Sequence, residues 1–182
     1  GDTAMAPLDA GRAAELGLRV RPSLIPGAGD GLFALRDFEP GDLVCEYSGP
    51  VLSLARVLRL SVAERSYVMG GFGLNAHVDG KHDLNMLGRY INDHADKGRH
   101  NVEFRKSREL RKAFVHATRK VRAGEELYAD YGEGYWRARG DRPRAPGPTG
   151  RLVTLRLASV LGLAALVAAA LALGRARRQI SR

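Results

Sequence analysis

At 182 residues the chain has room for one buried core and an appendage. Its formal net charge of +9 is unevenly placed: from Arg137 onward ten arginines meet a single acid, Asp141, and residues 1–136 balance to zero. A neutral core argues against direct nucleic-acid reading, because phosphate contacts need local positive charge. The lone cysteine, Cys45, excludes an internal disulfide and a cysteine-built zinc site within the chain.

In chain order, residues 9–16 ("DAGRAAEL") predict a short helix capped by Asp9. Short runs rich in Val, Leu, Phe and Tyr then predict strands at 18–21, 31–36, 42–49, 73–79, 101–106, 112–121 and 126–131, with turns at Pro26-Gly27, Pro40-Gly41 and Ala123-Gly124. Residues 54–66 predict one helix, with Leu54, Val57, Leu58 and Val62 on a common stripe. The fold class is therefore mainly β with a small helical insert. The β and α segments do not alternate, which disfavours a doubly wound sheet.

Beyond the core, residues 137–151 are rich in Arg, Pro and Gly and predict a linker. Residues 157–174 are eighteen in a row without a charge, and reaching back to Leu152 gives an apolar C-terminal helix over 152–174 that is predicted to span a membrane, followed by a basic tail at 175–182. The alternative is an Ala/Leu helix packed on its own domain or on a partner. A tail anchor would leave the β domain in the cytosol or nucleoplasm.

The glycines of "IPGAGDGLFAL" stand at 27, 29 and 31, a G-x-G-x-G spacing that does not open a helix. That excludes a dinucleotide fingerprint. It leaves either a tight hairpin or a backbone that a ligand can approach closely.

Five motifs occur in order: Gly29-x-Gly31-Leu32-Phe33, Glu46-Tyr47-x-Gly49, Arg89-Tyr90-Ile91-Asn92, Asn101, and Gly124-x-Glu126-Leu127-x-x-Asp130-Tyr131-Gly132. Together, over 17–136, they resemble the SET domain of protein lysine methyltransferases. The resemblance implies a β fold whose C-terminal segment threads beneath a loop, as a pseudoknot. It also implies an S-adenosyl-L-methionine pocket on one side and a lysine channel entering from the other. Carried over by position, the backbone around Gly29, Asp30, Gly31 and Leu32, with Arg89, Asn92, His94, Tyr131 and Trp136, would bind the cofactor. Tyr131 would stand beside the transferring methyl and Tyr47 would line the lysine channel. Glu126 and Asp130 are expected to fix geometry, not to act as acid or base.

Methyl transfer to an amine makes no oxyanion and needs no nucleophilic side chain, which suits a segment of tyrosines and carboxylates. The implied partner is a lysine-containing protein, with histones the usual class in the family. Three departures stand out. Asp93 occupies the place of the usual histidine, with His94 one residue later. Ala129 occupies a position often held by Phe or Tyr, which suggests room for two or three methyls unless Tyr128 refills it. No cysteine-rich element follows the domain, so Tyr135 and Trp136 are the aromatics available to cover the cofactor. Two rival readings remain: a non-catalytic SET module acting as a scaffold or lysine-tail binder, and a working tail that binds acidic lipid or nucleic acid.

Overall fold

The computed structural model describes residues 8–140. Helix α1 (Ala10–Glu15) starts as expected, with the Asp9 carboxylate accepting from the Arg12 N–H. Strands β1 (Leu18–Pro22) and β2 (Asp30–Ala34) form an antiparallel hairpin. Strand β3 (Leu43–Tyr47) pairs with β8 (Lys112–Ala117), which in turn pairs with β7 (Val102–Ser107). A third small sheet has β6 (His77–Asp79) between the two-residue strands β4 (Val51–Leu52) and β5 (Val68–Met69). The alternation expected of a half-buried strand is clean in β8, where Ala113, Val115 and Ala117 are buried and their neighbours are not.

Leu18, Leu32, Phe38, Val44, Ile91, Val115, Val121 and Leu127 share the main core. A second cluster holds Tyr47, Phe72, Ala76, Val78, Met86 and Ala113. Each fully buried side chain of this size contributes about 1.5–3 kcal/mol.

Several expectations shift. The single helix at 54–66 is two, α2 (Leu54–Leu58) and α3 (Val62–Arg65), because Ser61 is extended and forms a capping box with Glu64. The predicted stripe is not buried: Leu54, Leu58 and Val62 are all exposed. The strand expected at 73–79 shortens to β6, and that at 112–121 ends at Ala117, after which Val121 makes an isolated bridge to Phe38.

The segment expected as a strand at 126–131 is not a ladder strand. Backbone hydrogen bonds nevertheless hold it on both sides. Ala34 N–H donates to Glu125 O at 2.9 Å and Leu127 N–H to Leu32 O at 2.8 Å; Ala129 N–H donates to Asn92 O and Asn101 N–H to Tyr128 O, both at 3.0 Å. The loop 93–100 thus has both ends clasped on the same short stretch. The Asn101 side chain acts as a surrogate strand, donating to Glu126 O at 2.9 Å and accepting from Tyr128 N–H at 2.8 Å.

Helix α4 (Glu133–Arg139), not predicted from the sequence, follows at once, entered through Gly132 and ended by Gly140 in the left-handed conformation. It crosses the boundary expected at 136/137. Among the described residues no helix is long and apolar enough to cross a membrane. The predicted span at 152–174 and the basic tail at 175–182 lie outside the described residues, as does most of the predicted linker.

Candidate active site

Residues from most of these elements, but not from α1, β4 or β8, line one cleft of about 1670 Å³. Its first wall is the turn between β1 and β2, where Gly27 and Gly29 adopt φ of +78° and +76° with open space around them. Gly31 is needed for a different reason: a Cβ there would lie 2.2 Å from Glu126 Oε1. The close approach that this glycine permits is therefore made by a carboxylate of the chain itself.

Glu126 is buried and collects four donors. Oε1 accepts from the Ser23 hydroxyl at 2.6 Å and from the Asn92 amide at 3.4 Å. Oε2 accepts from Leu24 N–H at 2.7 Å and from the Tyr128 hydroxyl at 2.8 Å. Asn92 also donates to Asp30 O at 3.0 Å. The carboxylate and the asparagine together fix the glycine turn against the C-terminal segment, which makes the structural role expected for Glu126 specific.

The second wall is aromatic. The Tyr131 hydroxyl donates to Ile91 O at 2.5 Å, which leaves its oxygen lone pairs free to accept from a ligand. Burial, with Tyr135 and Tyr47 nearby, pushes its pKa well above the ordinary tyrosine value, so the hydroxyl stays protonated at neutral pH. Tyr47 is held the same way, chiefly by burial, and its hydroxyl donates to Tyr67 O. From α4, Tyr135 meets the Tyr131 ring edge-on at 4.7 Å and Trp136 lies near-parallel to it at 6.2 Å.

Asp93 ties this wall together, a part that its place after Asn92 does not disclose. It is only 5 % exposed. Oδ2 accepts from Tyr131 N–H at 3.0 Å and from the Trp136 indole N–H at 2.7 Å, and Oδ1 lies 3.0 Å from His100 Nε2. The residue that departs from the expected histidine is the anchor of α4.

Arg89 supplies the third feature. Its guanidinium sits over the rings of Tyr67 and Tyr90 at 4.9 and 5.3 Å, while its Nε and Nη1 are buried without a hydrogen-bond partner. Buried N–H donors left unpaired are costly, so this arrangement fits an anionic group brought in by a ligand.

Of the residues singled out in the sequence, Gly29, Asp30, Arg89, Asn92, Tyr47, Tyr131 and Trp136 line the cleft. Leu32 does not: it is fully buried in the main core. His94 does not either, its ring lying 5.1 Å from that of Tyr128 and its Nδ1 accepting from Asp96 N–H. Ala129 is wholly buried in the main core, so its small size opens no room in the cleft. Tyr67, His77 and Lys106 line the cleft without having been singled out. They come from the short insert and from strands whose facing is decided only by pairing.

The cleft does not reach Cys45, whose thiol is buried with its pKa raised by burial far above the ordinary value. What it offers is oriented oxygens beside an anion-accepting guanidinium. A family model described as the SET domain matches residues 29–132, more than half of the chain. N-lysine methyltransferase KMT5A-A of Xenopus laevis is 29% identical over 122 residues, covering 63% of this chain and 36% of the frog protein. Histone-lysine N-methyltransferase EHMT1 of Homo sapiens is 33% identical over 138 residues, covering 71% of this chain and 10% of the human protein.

Proposed function

The chain belongs to the SET-domain family, and on that premise we propose that it is a protein-lysine N-methyltransferase using S-adenosyl-L-methionine. The observation that carries the reading is the Tyr131 hydroxyl, fixed on Ile91 O and kept protonated by burial, in the same cleft as the unpartnered Arg89 guanidinium.

When bound, S-adenosyl-L-methionine supplies a methyl group on a sulfonium, and its amino-acid carboxylate is the anion that Arg89 suits. The turn at Gly27–Gly29 and the segment at Asn92 would hold the rest. The chain's own part is positioning, which is worth about 7–11 kcal/mol when reactants are held in near-attack geometry. Tyr131 presents an oxygen acceptor and does not act as a base, since its proton is held tightly. Contacts from a methyl to such oxygens contribute about 0.5–1 kcal/mol each. Tyr47, Tyr67 and Tyr135 narrow the approach, and a lysine entering among them would be desolvated, which favours the neutral amine. Asp93 holds Trp136 and Tyr131 in register, so the departure from histidine that motivates a non-catalytic reading has a constructive use.

A tether through residues 152–174 completes the reading, with the domain facing the cytosol or nucleoplasm; its support is the uncharged run at 157–174 with arginine on both flanks. Membrane partitioning that survives deletion of 137–182 would rule this tether out. The central test is mass spectrometry of nucleosomes, core histones and a cell extract incubated with the protein and S-adenosyl-L-methionine. Lysine methylation is expected, falling at least about two- to fivefold in Tyr131→Phe, the scale of one lost methyl–oxygen contact of about 0.5–1 kcal/mol. Cofactor binding should persist in that variant. No transfer together with no cofactor binding overturns the proposal.

A further inference from the structure

One wall of the cleft carries basic groups that have no counter-ion among the described residues. Strand β5 runs on into Gly70, Gly71, Phe72 and Gly73. A Cβ built on Gly70 would lie 3.4 Å from the His77 ring and one on Gly71 would lie 3.1 Å from Lys106 Nζ. Behind them Arg111 donates to Phe72 O. His77 Nδ1 is buried and has no hydrogen-bond partner. Lys106 faces Phe72 at 5.9 Å and makes no ion pair among the described residues. Arg65 and Arg139 line the same cleft.

The carboxylates that line the cleft do not pair with these groups. Asp93 is taken by Trp136, Tyr131 and His100. Glu103 pairs with Arg105 at 2.7 Å, and Asp130 faces Lys97 at 3.8 Å. Asp30 belongs to the glycine turn. Asp79, on the same strand as His77, accepts from Lys81 N–H and does not line the cleft.

We propose that His77 and Lys106 form a subsite for a carboxylate of the substrate, an aspartate or glutamate close to the methylated lysine. This rests on the methyltransferase reading. A carboxylate accepts from an ammonium and from an imidazole N–H at once, and such charge-assisted bonds are among the stronger ones. Gly70 and Gly71 carry no side chain to hold the substrate backbone away. A segment with Arg or Lys in that place meets like charge and leaves His77 Nδ1 unanswered, so the wall discriminates by repulsion as well as attraction.

The test uses the full chain and labelled peptides that carry one lysine, with Glu, Ala or Lys walked through the flanking positions. Fluorescence anisotropy gives affinity and mass spectrometry gives transfer. Glu at one flanking position is expected to tighten binding about tenfold over Lys there, the scale of one charge-assisted bond. Lys106→Met should flatten the preference and Lys106→Glu should reverse it. Equal affinities across the wild-type series, or a preference that Lys106→Glu leaves intact, overturn the subsite. Transfer without a Glu preference sinks the subsite and spares the enzyme. A Glu preference without transfer supports the subsite, and if S-adenosyl-L-methionine does not bind either, it sinks the enzyme.

Discussion

Glu126 is the residue whose removal tests the architecture of the site most directly. Replacing it with alanine strands the Leu24 N–H and deprives the Ser23 and Tyr128 hydroxyls of their acceptor. Tyr128 is buried, Ser23 half-buried and Leu24 exposed, so water replaces part of what is lost and the variant loses about 2–4 kcal/mol. Glutamine separates geometry from charge. Its best placement puts the amide nitrogen where Oε1 stands, because the Ser23 hydroxyl can rotate to accept, whereas the Leu24 N–H cannot. The Leu24 and Tyr128 bonds then survive, the long 3.4 Å contact with Asn92 becomes unfavourable, and two bonds lose their charge assistance. A neutral amide is also cheaper to bury than a carboxylate, so the net loss is about 1–2 kcal/mol. Urea unfolding followed by the emission of Trp136, the single tryptophan, measures both variants, and calorimetry with S-adenosyl-L-methionine reports the turn. The alanine variant should bind cofactor far more weakly than the glutamine variant. A loss under about 1 kcal/mol for alanine, or equal losses for the two, would refute the claim that four converging donors hold the glycine turn.

Asp93→Ala removes the acceptor of the indole and of Tyr131 N–H, so Trp136 emission should shift to the red with a stability loss of about 2–4 kcal/mol. Asp93→His should fall between it and wild type, because a neutral imidazole has one acceptor for two N–H donors; unchanged emission in both would contradict the anchor. In alkaline solution the folded chain holds the protons of Tyr47 and Tyr131 after the unfolded chain has released them near the ordinary value of 10.0. Stability is therefore fully present below that pH and falls above it, by about 1.4 kcal/mol per pH unit for each tyrosine. The double Phe variant should show a shallower alkaline slope in urea unfolding, and an identical slope would show that burial does not hold these protons.

Much of the fold was legible because its signals are local. Asp9 as the cap of α1 and the apolar runs that form β1, β2 and β7 each announce themselves within a few residues. The five motifs located the glycine turn, Asn92 and Tyr131, and these do meet in one cleft. What escaped depends on distant pairing. The strands β4 and β5 are two residues each and exist only because β6 lies between them. Helix α4 begins after a glycine with positive φ and is held by Asp93, forty residues upstream, so no window of sequence displays it. His94 stands one residue past the expected place, and its ring lies against Tyr128 while its Nδ1 accepts from Asp96 N–H. Gly31 was read as an approach for a ligand, and only the folded chain shows that Glu126 already occupies that side.

The clasp of loop 93–100 on the stretch around Tyr128 bears on how the domain is born. A ribosome delivers the glycine turn and Asn92 long before Glu126, and Leu24 waits 102 residues for its partner. Until that stretch emerges, the loop has nothing to close on and neither wall of the cleft is complete. Tyr131 is among the last residues of the domain to arrive. Chains cut short before it would carry most of the motifs and none of the site, and such long-range closure makes for slow, late, all-or-none folding.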